Sequence, residues 1–148
     1  MGACAGALGC HAGGMRIGIV CSKFNALYTD ALLAAAAEAL RGHDVVPVRV
    51  PGSFEIPLAL DRLARRGGFD ALIALGVIWQ GKTDHAGLIA AEVARACMDL
   101  GLRHDVPVIF EVLTVKTEAQ ARARCLGKRL NRGREAAETA LAMANLVI

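Results

Sequence analysis

The chain has 148 residues, 55% of them apolar and 4% aromatic, with a formal charge of +3. That length suits one domain with a real core. No stretch approaches the ~20 apolar residues that a bilayer span requires, and no basic run or aromatic–basic interleaving suggests nucleic acid, so neither a membrane nor a nucleic-acid partner is expected.

Residues 1–14 (MGACAGALGCHAGG) are a Gly/Ala-rich leader without the basic start and long apolar run of a signal peptide. They read as a flexible arm ahead of a single domain at 15–148. The five cysteines (Cys4, Cys10, Cys21, Cys97, Cys125) form no CxxC pair. With metal-ligand spacing absent, no metal is expected, and a role in metal binding for Cys4, Cys10 and His11 is disfavoured. Cys21 and Cys97 sit in apolar segments and read as small core residues. A reducing cytoplasm is the default compartment.

Met15–Val20 (MRIGIV) is a β-branched run of strand length. A helix follows over Ala26–Arg41, with Leu32, Leu33, Ala36, Ala37 and Leu40 on one face and Gly42 as its C-cap. Val45–Val50 is a second strand, and Pro57 then opens a helix with Ile56, Leu60 and Leu63 inward, stopped by Gly67-Gly68. Phe69–Leu75 is a third strand. The helix after it, from Asp84 to Leu100, turns Leu88, Ile89, Val93, Ala96 and Leu100 inward and Glu92, Arg95, Asp99 and Arg103 outward. Pro107–Leu113 is a fourth strand, Thr117-x-x-Gln120 is a capping box, Asn131–Gly133 breaks the chain, and Arg134–Leu146 is a last helix. Strands alternating with helices imply an α/β fold: a flavodoxin-like three-layer sandwich with a four-stranded parallel sheet and helices on both faces.

Between the third strand and its helix lies Gly76–His85 (GVIWQGKTDH). A strand-to-helix turn at the carboxyl edge of such a sheet is where ligands bind, and a helix N-terminus there can seat a phosphate. Gly76-x4-Gly81-Lys82-Thr83 also fits the P-loop expression. Its middle residues, Val77, Ile78, Trp79 and Gln80, are too bulky to wrap a phosphate and read as a continuing strand.

Three strand ends converge on one edge: Phe24-Asn25, Ser53-Phe54-Glu55, and Val77 to His85. Together they offer an aromatic ring, a carboxylate, a hydroxyl, backbone donors and a histidine, a set suited to a polar, ring-bearing substrate with a phosphate beside it. Each also has a plain structural reading. Phe24 could be core, Glu55 could compensate a helix dipole, and Thr83 or His85 could cap the helix.

The motifs SKFN at Ser22–Asn25, VPGSFEIP at Val50–Pro57, ALGVI at Ala74–Ile78, GKTDH at Gly81–His85, VPVIFEVLT at Val106–Thr114 and N-R-G…AMANL at Asn131–Leu146 occur in this order. In them the chain resembles the 6,7-dimethyl-8-ribityllumazine synthase family, transferases of the penultimate step of riboflavin biosynthesis. The resemblance implies condensation of 5-amino-6-ribitylaminouracil with 3,4-dihydroxy-2-butanone 4-phosphate, without a cofactor. It implies that Phe24 stacks on the pyrimidine ring, that Ser53 and Glu55 hold the ribityl chain, and that Val77 and Ile78 contact the ring through backbone. Gly81, Lys82 and Thr83 would bind phosphate and His85 would transfer protons. Phe110 and Arg124 would come from a neighbouring subunit, with Lys128 nearby. The same resemblance implies a homo-oligomer with shared active sites, a pentamer or a sixty-subunit icosahedral shell of pentamers.

Trp79, Gln80, Glu111, Ala86-Gly87 and Arg129-Leu130 depart from the family pattern. Trp79 and Glu111 are placed where substrate fit would feel them. Two alternatives stay open on the sequence: a non-catalytic lumazine- or flavin-binding shell protein of the same fold, and a P-loop-like nucleotide hydrolase.

Overall fold

A computed structural model describes residues 13–148; the expectations for the leader, including Cys4, Cys10 and His11, fall outside them. Four strands form one parallel sheet: β1 (Arg16–Ser22), β2 (Asp44–Val50), β3 (Ala71–Trp79) and β4 (Val108–Val115). Their spatial order is β2-β1-β3-β4. The two central strands, β1 and β3, have both faces covered, which is why they read as continuous apolar runs instead of alternating ones. β2 is an edge strand and carries Pro47, tolerated there because an edge residue can do without its N–H.

The handedness of the crossovers sorts the helices. The chain leaves β1 in one direction through α1 (Ala26–Ala39) to β2, then doubles back through α2 (Ile56–Arg66) to β3 and on through α3 (His85–His104) to β4. Right-handed connections therefore put α2 and α3 on one face and α1 on the other. There α1 is joined by α4 (Glu118–Cys125) and α5 (Arg132–Ala144). Two apolar layers result. Ile17, Ile19, Leu32, Ile73, Leu75 and Ala137 fill one; Val20, Ile56, Leu60, Leu72, Val93 and Leu100 fill the other. This is the three-layer sandwich that the strand–helix alternation predicts. Among the described residues no helix is long and apolar enough to cross a membrane.

Local sequence sets most of the element ends. Thr117 accepts from the Gln120 N–H at 3.2 Å while the Gln120 side chain accepts from the Lys116 N–H at 2.9 Å, closing the first turn of α4 as a capping box does. Cys21, Cys97 and Cys125 are buried, and burial pushes each thiol up to about 11, as expected of core cysteines.

Several expectations are corrected. The C-cap of α1 is Leu40, with Gly42 lying beyond it at φ 90°. Ala37 is exposed, and Tyr28 and Thr29 take its place on the inward face. The chain does not break at Asn131–Gly133. Asn131 accepts from the Arg134 N–H at 3.1 Å as an N-cap, so Gly133 lies inside α5. It is glycine because α1 passes against it: a Cβ there would lie 2.2 Å from the Leu32 carbonyl oxygen.

Gly133→Ala should therefore lower stability by about 1–3 kcal/mol, the usual cost of overpacking. The change would be read from the urea midpoint, and an unmoved midpoint would mean that α1 and α5 have room to separate.

Candidate functional site

The direction of winding reverses between β1 and β3, so their carboxyl ends diverge and leave a crevice. A cleft of about 550 Å³ opens there, walled by the chain leaving β1, the turn after β2, the end of β3 and the first turns of α3. The first wall is Phe24-Asn25. Asn25 is left-handed (φ 61°, ψ 48°), a conformation asparagine tolerates better than other side chains, and its Nδ2 donates to the Val77 carbonyl at 2.6 Å. Phe24 donates its N–H to the Pro51 carbonyl at 3.1 Å. Pinned on both sides, the Phe24 ring is 66% exposed at the cleft, so its reading as plain core is ruled out.

The second wall is a short 3-10 turn, Ser53–Glu55, entering α2. Glu55 accepts from the Gly52 N–H at 2.9 Å, which fixes one carboxylate oxygen and leaves the other for a ligand. Gly52 has to be small: a Cβ would sit 3.0 Å from both the Phe24 ring and the Glu55 carboxylate. Ser53 is buried at the floor, while Phe54 is exposed at the rim.

The third wall continues β3. Val77, Ile78 and Trp79 all pair with β4, opposite Leu113, Thr114 and Val115. This segment is strand, so it cannot curl around a phosphate as a P-loop does. His85 is the first residue of α3, exposed at the cleft, and the N-cap Asp84 makes no side-chain bond to the first turn. His85 and Thr83 are therefore not the cap, and the first N–H groups of α3 are left without a side-chain cap.

Gly81, Lys82 and Thr83 form an exposed turn beside His85 and do not line the cleft. Phe110, Arg124 and Lys128 do not line the cleft either. Phe110 lies on β4 in a separate groove with Met98, Leu102 and Met143. Arg124 lies on α4, its guanidinium 3.5 Å from the Thr114 carbonyl oxygen. Lys128 lies in a shallow depression between α1 and α5.

The sequence reading missed part of α3. Leu88 is 65% exposed and, with Ile89 and Glu92, lines the cleft. These residues recur at helical spacing from His85. Leu88 and Ile89 come from the face expected inward and Glu92 from the face expected outward, so the first turns of α3 border the cleft before the helix settles on the core at Val93. Glu111, next to Phe110 on β4, does not line this copy's cleft; it is half-buried with Arg132 and Glu135 nearby, and burial raises its carboxyl above the usual range.

A family model described as 6,7-dimethyl-8-ribityllumazine synthase matches residues 14–147. The chain belongs to that family. Proteins named 6,7-dimethyl-8-ribityllumazine synthase are similar to it across most of both chains. The one from Thermococcus kodakarensis is 45% identical over 137 residues, covering 90% of this chain and 87% of its own. That from Pyrococcus furiosus is 44% identical, covering 90% and 85%. That from Cupriavidus metallidurans is 43% identical, covering 91% and 80%. The family and the enzyme class implied by the motifs are thereby met, and the nucleotide-hydrolase alternative falls.

Trp79 is the departure from the family pattern that does enter the cleft. Tyr28, buried in α1, meets its indole edge-on, with centroids 5.9 Å apart and planes at 71°. It is the chain's one tryptophan, so its emission reports on this cavity. A ribitylaminouracil analogue should change that emission saturably in wild type and far less in Phe24→Ala. Equal responses would place the ligand away from the Phe24 wall.

Proposed function

We propose that this chain forms 6,7-dimethyl-8-ribityllumazine from 5-amino-6-ribitylaminouracil and 3,4-dihydroxy-2-butanone 4-phosphate, and that each active site is built from two copies of the chain. In one copy Phe24 stacks on the pyrimidine, the backbone of Val77 and Ile78 meets its edge, and Ser53 and Glu55 take the ribityl hydroxyls. Asn25 serves mainly by holding Phe24 against β3, and Phe54 guards the rim. Gly81, Lys82, Thr83 and the α3 N-terminus face the phosphate outside the closed part of the cleft.

The observation that carries the two-copy reading is the split among the expected residues. The ring-binding walls and His85 share one cleft. Phe110 is 37% exposed in another groove, and Arg124 sits on α4 and does not line the cleft. A second copy laying its β4 and α4 across the cleft would bring Phe110 over the ring, Arg124 to the phosphate and Lys128 nearby. The exposed apolar rim of Phe24, Phe54 and Leu88 suits such a cover. Head-to-tail contacts of this kind close into rings, which supports a homopentamer, alone or assembled into an icosahedral shell. The proposal includes the single domain at 15–148 and a cytoplasmic location.

The chemistry asks for orientation and modest proton transfer. The aromatic amine attacks the ketone, water leaves to give an imine, phosphate is eliminated, and ring closure with loss of a second water completes the lumazine. An imidazole can serve as base and acid in turn near neutral pH, and His85 stands at the mouth where those protons move. Arg124 would hold the leaving phosphate through a charge-assisted fork. Positioning two reactants supplies much of the remaining acceleration.

Lumazine absorbance from the two substrates should rise well above the uncatalysed background. His85→Ala should slow it by roughly a hundredfold, the weight of a lost general acid–base, and Arg124→Ala should chiefly weaken use of the phosphate substrate. Co-expressing the two variants should restore activity that neither has alone, because some interfaces then pair an intact cleft with an intact Arg124. No restoration would place both residues in the same copy's site. Ligand binding without acceleration would mean a binding shell.

A further inference from the structure

Among the described residues, the walls of the cleft carry two carboxylates, Glu55 and Glu92, and neither a lysine nor an arginine. Such a lining favours a neutral ligand rich in hydroxyl donors over a phosphate. Glu55 already has a part in that. Glu92 has none, and the periodicity of α3 sends it to solvent, yet it lines the cleft.

The two carboxylates are held alike. Glu55 gives one oxygen to the Gly52 N–H. Glu92 gives one oxygen, Oε2, to Arg95, which donates to it from Nη2 at 2.6 Å and from Nε at 3.2 Å. Each keeps its second oxygen for a donor in the cleft. The Glu92 and Arg95 side chains are 54% and 74% exposed, and a pair so open adds little stability. What it supplies is a preferred orientation for Glu92.

The Ser53–Glu55 turn packs against α3, so both carboxylates border one region of the cleft. Glu92 lies about 10 Å beyond His85 along the helix, at 1.5 Å per residue. Leu88 and Ile89 stand between them and offer apolar contact to a carbon chain. A ligand with its ring at the end of β3 and its polyol starting at Ser53 and Glu55 has its outer end on the Glu92 side.

We propose that Glu92 is a further substrate-binding residue, its free carboxylate oxygen accepting from the outermost hydroxyl of the polyol whose inner hydroxyls meet Ser53 and Glu55. This rests on the reading of Ser53 and Glu55 as contacts to the ribityl chain. It makes the length of the polyol something the cleft selects, as well as its presence.

The test is steady-state kinetics on the intact protein with both substrates, and with a ribitylaminouracil that lacks its terminal hydroxyl. Glu92→Ala should raise KM for the ribitylaminouracil roughly three- to tenfold, the worth of one hydrogen bond. The kcat and the KM for the butanone phosphate should stay unchanged. Glu92→Gln keeps an acceptor oxygen and should recover part of the loss. Wild type should show a raised KM for the deoxy analogue, and Glu92→Ala should add nothing to it, because both changes remove the same contact.

An unchanged KM in Glu92→Ala would overturn the proposal and leave Glu92 as a surface partner of Arg95. A rise equally large with the deoxy analogue would overturn it too, since a disturbed α3 would then be the cause. If Glu55→Ala leaves KM unchanged while Glu92→Ala raises it, the ribityl reading of Glu55 is what fails. If Glu55→Ala raises KM and Glu92→Ala does not, only the role of Glu92 fails.

Discussion

The hydrogen bond from the Asn25 amide to the Val77 carbonyl, 2.6 Å across the gap between β1 and β3, is the constraint on which the site depends. Strands that part at a topological switch point leave their last carbonyls and amides without sheet partners. Asn25 supplies such a partner from a side chain, and it can do so only from the left-handed conformation it adopts at the start of α1. One residue therefore starts a helix and ties the chain leaving β1 to the end of β3. Phe24, immediately before it, is held outward into the cleft as a consequence. An alanine in its place would lose both the amide bond and the ease of the left-handed backbone.

From that clamp the remaining geometry follows in order. Phe24 rests over Gly52, and the Gly52 N–H is in turn fixed by Glu55. Glycine at 76 makes room for the Ser53 hydroxyl, 2.6 Å from where a Cβ would lie. Each small residue clears a space that a neighbouring polar or aromatic group occupies, so the pocket is shaped as much by what glycine omits as by what the side chains fill. The single chain stops short of enclosing a ligand. Its rim is apolar and open, and β4 is an unpaired sheet edge. In the proposed reading those are the surfaces that adjoining copies cover.

Much of this was legible in the sequence because a parallel sheet with two covered faces writes its strands as apolar runs, as in RIGIV and ALIALGVI. The turn residues at the strand ends then fall on one edge by topology alone, and the structure gathers Phe24, Asn25, Ser53, Phe54, Glu55, Val77, Ile78 and His85 into one cleft. What was misread depended on how elements meet. Gly133 looked like a break because nothing local reveals that α1 passes 2.2 Å from where its Cβ would be. Leu88 looked like core because periodicity does not tell which turns of a helix border a cleft. Phe110 and Arg124 entered only through family resemblance, since no pattern within one chain brings them to this cleft.

The most direct measurement is a cryo-EM structure of the assembled protein with a ribitylaminouracil analogue bound. The account predicts the pyrimidine ring against Phe24 in the crevice between β1 and β3, its ribityl chain toward Ser53 and Glu55, and Phe110 of an adjoining copy closing the other face. A ring bound elsewhere, or a cleft that encloses its ligand without a second copy, would contradict it.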